Sequence, residues 1–164
     1  MGEICHVFNK SIGDIEVFKN DCEFLRIIEA MCFYQRENQK TRFSVFAEQV
    51  LHRPGVGCSA DIDNLGGKIV EILAYCIMPT HFHLLLKELK EKGIASFINN
   101  LLNSYTRYFN VKYLRKGTLW EGPTKKVIAK TDNQFAHLTR YIHLNPVTAY
   151  LYPGFNILSY RQIV

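Results

Sequence analysis

Residues 69–87 read IVEILAYCIMPTHFHLLLK. Ile69 to Met78 is β-branched, aromatic and apolar over about the length of a buried strand. Met78-Pro79-Thr80 turns the chain, because proline fixes its own φ and has no N–H for a sheet ladder. His81 to Lys87 reads as a second strand, antiparallel to the first across so short a connection. Side chains alternate along a strand. Phe82, Leu84 and Leu86 therefore share one face. His81 and His83 share the other, about 7 Å apart along the strand.

The flanking segments fit around this pair. Ile4 to Asn9 reads as a first strand. Asp21 to Arg36 reads as a helix, with Phe24, Ile27, Ile28 and Met31 at helical spacing and Asp21 at its cap. Gly93 to Leu114 is a long helix with an apolar stripe of Ile94, Phe97, Ile98, Leu101, Leu102 and Tyr105. Thr118 to Ala129 reads as a strand. Thr131 to Leu144 is a last helix, opened by a capping box of Thr131 and Gln134 and stopped by Pro146. The first six elements run strand, helix, strand, strand, helix, strand. That is the split βαβ, or ferredoxin-like, order of an α+β fold. It predicts an antiparallel sheet with two helices on one face, plus an extra C-terminal helix. The reading takes residues 1–164 as one domain. Residues 37–67 read as a mobile insertion, with a short helix from Phe43 to Leu51 and a Gly/Pro-rich loop from Arg53 to Gly67.

The chain has 164 residues, 48% of them apolar and 21% charged, the profile of a globular domain. No apolar run approaches the roughly 18 residues of a membrane span. MGEICHVFNKS at the start lacks a basic segment followed by an apolar one, which argues against a secretory leader. The five cysteines form no C-x-x-C pair. Buried thiols of a reducing cytoplasm are the expectation. The net charge of +5 is unevenly spread. Residues 1–82 carry eight Lys/Arg and eleven Asp/Glu; residues 83–164 carry twelve and four. Such a basic half suits a polyanionic partner.

Three features could carry chemistry. His81 and His83 present two imidazoles on one face near a sheet end, and imidazole is a common ligand of divalent metals. Spacing alone also fits two strand histidines that bind nothing, and favours that reading. In the last helix Phe135, Leu138 and Ile142 form a narrow apolar stripe flanked by Tyr141 and Asn145, one turn apart. His137 continues that row, whereas His143 falls roughly 200° from Tyr141. If Tyr141 faces a metal, Asn145 is better placed than His143 to share it. Without a metal, Tyr141 is a rim residue of the core and Asn145-Pro146 a helix stop. Finally, residues 103–130 hold Arg107, Lys112, Arg115, Lys116, Lys125, Lys126 and Lys130 against one acid, Glu121. Tyr105, Tyr108, Phe109, Tyr113 and Trp120 lie among them. Cations attract phosphates, and aromatic rings can stack unpaired bases. Arg107, Lys112, Arg115, Lys116, Trp120, Lys125 and Lys126 are the expected DNA contacts. A solvated basic face over core aromatics is the alternative.

These segments resemble a known family. MPTHFHLLLKE (78–88) is similar to the MPNHxHLLL segment of single-tyrosine HUH transposases, and most fully of their REP-associated branch. YTRYFNVKYLRKGTLWEG (105–122) and LTRYIHLNPVTAYL (138–151) resemble that branch's next two blocks, in the same order. ICHVFNKS (4–11) fits its first strand more loosely. The similarity covers roughly Ile69 to Leu151. It implies a ferredoxin-like fold and a divalent cation, Mg²⁺ or Mn²⁺, on His81, His83 and Asn145. It implies Tyr141 as nucleophile and single-stranded DNA, often beside a hairpin, as substrate. Relatives occur as monomers and as dimers in which the tyrosine helix can serve a partner's site, so a homodimer stays open. The implied location is cytoplasmic, on the nucleoid when bound to DNA. Thr80 stands where the family usually has Asn, and Pro123-Thr124 where it commonly has Arg-Phe.

The expected activity is metal-dependent DNA strand cleavage and joining through a 5′-phosphotyrosine link. A free phenol has a pKa of about 10 and needs help to ionise near neutrality. The cation could give that help, and His137 is a candidate for proton transfer from its spacing. Two other classes remain at this point. One is a non-catalytic nucleic-acid-binding module, since ferredoxin-like sheets also stack bases. The other is a phosphoesterase that uses water.

Overall fold

Strand formation starts from alternation. In β1 (Ile4–Lys10) Cys5 and Val7 are buried on one face. β2 (Val70–Met78) and β3 (His81–Glu88) follow the hairpin read from the sequence. β4 is Lys125–Ile128. The sheet order is β2-β3-β1-β4, and every neighbouring pair is antiparallel. This is the predicted ferredoxin-like topology. The computed structural model describes residues 2–37, 41–48 and 66–150. The predicted loop of 53–67 therefore lies almost wholly outside the described residues. Among the described residues no helix is long and apolar enough to cross a membrane.

β2 departs from strict alternation. Its pairing with β3 shifts between Ile72 and Ala74, so Leu73 is a bulge. Ile72 packs toward the main core, while Ala74, Cys76 and Met78 face the opposite side of the sheet. A bulge adds one unpaired residue and so changes which face later side chains take.

α1 (Asp21–Tyr34), α2 (Phe43–Phe46) and α3 (Gly93–Lys112) contribute to one core with the sheet. Its centre is aromatic: Phe18, Phe24, Phe33, Phe43, Phe82, Phe97, Tyr105 and Phe109 are all buried. The cap of α1 is Asn20 rather than Asp21, because the Asn20 side chain accepts from the Glu23 N–H at 3.3 Å. Both residue types suit a cap, so composition alone could not separate them. α3 starts hard against β2. A Cβ on Gly93 would sit 2.4 Å from the Ile69 carbonyl oxygen, so only glycine fits there. Lys92, in the left-handed region at φ 57°, offers no side-chain cap. The Glu88 carboxylate instead accepts from the Ile94 N–H at 3.1 Å.

Two predicted boundaries move. The strand expected over 118–129 is regular only at Lys125–Ile128. Gly122 has φ +67°, and Pro123 has no N–H, so residues before Lys125 cannot hold a ladder. They meet the chain after β1 raggedly, through Ile12 N–H to Leu119 O at 3.0 Å and Glu121 N–H to Lys10 O at 2.8 Å. The last helix, α4, spans Asp132–Tyr150 and contains Pro146 instead of ending there. An internal proline removes one ladder bond at a cost of about 3 kcal/mol, which a helix can bear. The capping residues are as read, with one change. Thr131 Oγ1 accepts from the Gln134 N–H at 3.2 Å, but the Gln134 side chain accepts from Lys130 N–H, at 2.7 Å, rather than from Thr131.

α4 lies on the face of the sheet opposite α1 and α3. Ile142 joins Ala74, Cys76, Met78 and Leu85 in a second, smaller core, with Phe135 and Leu138 at its edge. The predicted apolar stripe is thus what docks the helix, and it places the flank bearing Tyr141 over the histidine face.

Candidate active site

The site begins with strand parity. His83 pairs with Phe8 across β3 and β1, and His6 lies two residues before Phe8 on the same face. His6, His81 and His83 therefore share the face opposite α1 and α3. His6 Nε2 and His83 Nδ1 are 3.0 Å apart, joined by a buried hydrogen bond. Those two rings stack with centroids 5.2 Å apart. His81 stands perpendicular to His83 at 5.3 Å, somewhat closer than the strand repeat alone gives. Thr80 Oγ1 is 3.1 Å from His81 Nδ1. Thr80, one of the departures from the resembled pattern, thus touches one of the two expected histidine ligands.

All three imidazoles favour the neutral form. Burial, followed by the neighbouring His81 and His6, pushes His83 down to about 3. Burial, then Lys10, lowers His81, with Asp14 acting in the opposite sense. Burial lowers His6. A neutral imidazole keeps one lone pair, the form that binds a metal.

α4 delivers the phenol. The Tyr141 ring is 5.4 Å from the His83 ring and perpendicular to it, and 6.0 Å from His6. Tyr141 is 45% exposed. Asn145 lies one turn later in the same helix, since α4 runs through Pro146. The Asn145 amide nitrogen is buried and has no hydrogen-bond partner among the described residues. Turning that amide by 180° exchanges nitrogen for oxygen, the donor a hard cation prefers. His143 Nδ1 bonds back to the Thr139 carbonyl at 2.7 Å, away from this row. His137 lines a groove between β4 and α4 with Val127, Asn133 and Leu138.

Beside the histidines opens a cleft of about 650 Å³, lined by Phe8, Asn9, Thr80, His81, His83, Glu121 and Lys125 among others. His81 and His83 each engage Nδ1 with a protein partner, which leaves Nε2 on each for a ligand. Among the described residues no three His, Cys, Asp or Glu side chains are grouped to hold an ion. Imidazole nitrogen and amide oxygen are donor types that suit a divalent cation which keeps waters or phosphate oxygens in its other positions.

The basic run of 103–130 does not form one surface. Lys125 and Lys126 alternate across β4. Lys125 pairs with Phe8, faces the histidine side and lies 5.8 Å over the Phe8 ring. Lys126 faces the other side and forms an ion pair with Glu3 at 3.3 Å. Arg107 and Lys112 line a cleft on the helix layer with Arg26 and Arg42. Lys112 is also held by the buried Glu23 carboxylate at 3.0 Å. Arg115 donates to the Thr118 carbonyl and braces its own loop. Trp120 packs against Phe82 and donates its indole N–H to Thr106 at 3.0 Å. Lys116 is exposed on the loop after α3. Of the seven expected DNA contacts, Lys125 is the one that lines the histidine cleft.

Sequence reasoning missed His6. The signal was present: a polar residue in an apolar strand, on the alternate face from Cys5 and Val7. What was lacking was the β1–β3 pairing that joins it to a residue 77 positions away.

The comparisons with known proteins bear on this arrangement. A family model described as IS200-like transposase matches residues 38–145, well over half of the chain. No curated protein matches the chain. Among solved structures, a REP-associated tyrosine transposase bound to a REP hairpin is similar at 13% identity and a TM-score of 0.57, covering 90% of this chain and 68% of that one. A candidate transposase from Deinococcus radiodurans R1 matches at 15% identity and a TM-score of 0.47, covering 87% and 90%. At such identities the first likeness speaks to the fold.

Proposed function

The chain belongs to the IS200-like transposase family, and from that premise we propose that it cleaves and rejoins single-stranded DNA with Tyr141 as nucleophile. The observation that carries this reading is the approach of Tyr141 to His83, with ring centroids 5.4 Å apart within one chain. The tyrosine is proposed to act in its own subunit. Its length lets it reach from a neighbouring helix toward a phosphate held in the cleft. A single strand, next to a hairpin as in the REP-associated relative, is the proposed substrate.

His81, His83 and Asn145 are the proposed holders of a divalent cation, Mg²⁺ or Mn²⁺. Bound there, the cation would neutralise and polarise the scissile phosphate. The Tyr141 oxygen attacks phosphorus in line. The bond to the 3′-oxygen breaks as the bond to Tyr141 forms. The phenol proton passes to solvent, and the leaving 3′-oxygen takes up a proton to become a hydroxyl. The 5′-phosphate is then held on Tyr141. A 3′-hydroxyl attacking that phosphotyrosine reverses each step, so the bond energy is retained and no nucleotide cofactor is consumed. An aryl oxide is a fair leaving group for this resealing. Lys125, beside Phe8, is the proposed contact to the phosphate backbone.

The test is incubation of the full chain with labelled single-stranded hairpin DNA and Mn²⁺ or Mg²⁺, resolved on a denaturing gel. A metal-dependent protein–DNA adduct is expected. Binding without an adduct under every metal would replace this reading with that of a non-catalytic binding module. Cleavage without an adduct would point to water as nucleophile.

Lys125→Ala is expected to weaken DNA binding and to lower the slope of log K against log salt by about one. Lys126→Ala is expected to leave that slope unchanged, because its charge faces the other side of the sheet and is paired with Glu3. Titrations at several salt concentrations check both. Equal slopes for Lys125→Ala and the unaltered protein would take Lys125 out of the interface.

A further inference from the structure

A buried polar side chain costs free energy unless it is hydrogen-bonded. His6 is buried on the β1 face that also carries Ile4, Phe8 and the exposed Lys10, so its polar partner among the described residues matters. That partner is His83 Nδ1, at 3.0 Å from His6 Nε2. A neutral imidazole has one N–H and one lone pair. The pair therefore shares a single proton, and its position decides what the far nitrogen of His83 can do. With the proton on His6, His83 accepts through Nδ1 and carries N–H at Nε2, where it cannot ligate. With the proton on His83 Nδ1, His6 accepts, and His83 Nε2 keeps a lone pair.

The neighbouring histidine meets a partner through the same nitrogen. His81 Nδ1 has the Thr80 hydroxyl at 3.1 Å, an oxygen able to accept. Both cleft histidines thus meet a protein partner at Nδ1 and leave Nε2. A ligating imidazole takes its tautomer from the bond made by its other nitrogen, and such outer partners tune affinity. The His6 ring is itself fixed, stacked on Phe8 at 4.9 Å and meeting Tyr141 edge-on at 6.0 Å.

We infer that His6 is a positioning residue: it accepts the Nδ1 proton of His83 and so holds the Nε2 lone pair of His83 ready for the cation. His6 is not a third ligand, since the nitrogen facing the cluster is occupied by His83 and no three such side chains among the described residues are grouped to hold an ion. The inference rests on the metal-dependent reading proposed above.

The test uses the full chain and two variants. His6→Leu removes the acceptor. His6→Gln supplies an amide oxygen near the place of the lost Nε2. Long-range ¹H–¹⁵N spectra of the metal-free protein report which nitrogen of each ring is protonated. Calorimetry with Mn²⁺ reports affinity without any need for catalysis. The expected result is His83 protonated at Nδ1 in the unaltered protein. Mn²⁺ binding about 10- to 100-fold weaker is expected in His6→Leu, with recovery to within about threefold in His6→Gln. His83 protonated at Nε2 in the unaltered protein would overturn the inference, even if neither variant folds. So would unchanged Mn²⁺ affinity in a folded His6→Leu. Failure of the unaltered protein to bind Mn²⁺ would instead count against the proposed function, and the ring spectra would still decide the role of His6.

Discussion

Tyr141→Phe is expected to abolish the covalent protein–DNA adduct and to reduce strand cleavage by at least about 10⁴-fold, the scale of removing a nucleophile. The change deletes one oxygen and keeps the ring. Contacts of that ring with His6 and His83 persist. Because the side chain is nearly half exposed, stability should change by no more than about 0.5 kcal/mol. DNA affinity should stay within about twofold, as phosphate contacts dominate it. Denaturing gels, thermal unfolding and equilibrium binding separate the three. An adduct surviving in Tyr141→Phe would mean that another side chain is the nucleophile.

A comparably large effect is expected far from the cleft. Glu23 is fully buried in the first turn of α1. Its carboxylate accepts from the Lys19 N–H at 2.6 Å, from Lys112 at 3.0 Å and from the Tyr113 hydroxyl. It therefore ties α1 to the end of α3. Burial by itself raises its pKa, but the hydrogen bonds from Tyr113, Lys19 and Lys112 together outweigh that and lower it. Glu23→Ala leaves these donors without their acceptor and should cost about 3 kcal/mol, a substantial share of the roughly 5–15 kcal/mol of a typical domain. Because the folded pKa lies below the unfolded one, the carboxylate stabilises fully above about pH 4.3, the ordinary glutamate value. That contribution fades as pH falls through the lower folded value. Denaturant unfolding at pH 7 and at a series of acidic pH values checks both statements. Glu23→Gln should lose this part of the acid dependence. An acid limb identical to that of the unaltered protein would refute the assignment.

The elements governed by local period were legible from sequence. β2 follows from a β-branched, apolar run, β3 from alternation and the stripes of α3 and α4 from helical spacing, and they fix the sheet and the face on which Tyr141 stands. What failed was governed by single backbone positions or by distant pairings. Gly122 and Pro123 shorten β4, a matter of φ and a missing N–H rather than of apolar content. Pro146 suggests a stop by its missing N–H, yet α4 runs through it. The bulge at Leu73 sets the face of Ala74, Cys76 and Met78, and alternation cannot announce it. His6 gained meaning only when β1 lay against β3. The cations of 103–130 are neighbours in sequence, yet strand parity and helix packing distribute them to opposite sides of the molecule. The resemblance to HUH transposases identified His81, His83, Tyr141 and Asn145 as a group. Strand parity put His81 and His83 on one face, and helical spacing put Tyr141 on the flank that reaches His83.

The two sides of the sheet are held with unequal strength. The layer of α1 and α3 is sealed by a continuous aromatic and aliphatic interior, whereas among the described residues α4 rests on Ile142 with partial help from Phe135 and Leu138. Burial of that stripe is worth only a few kcal/mol, at about 1.5–3 kcal/mol for each fully covered side chain. Amide exchange is therefore expected to be faster in the helix that bears the phenol than in the histidine strands and the interior beneath them.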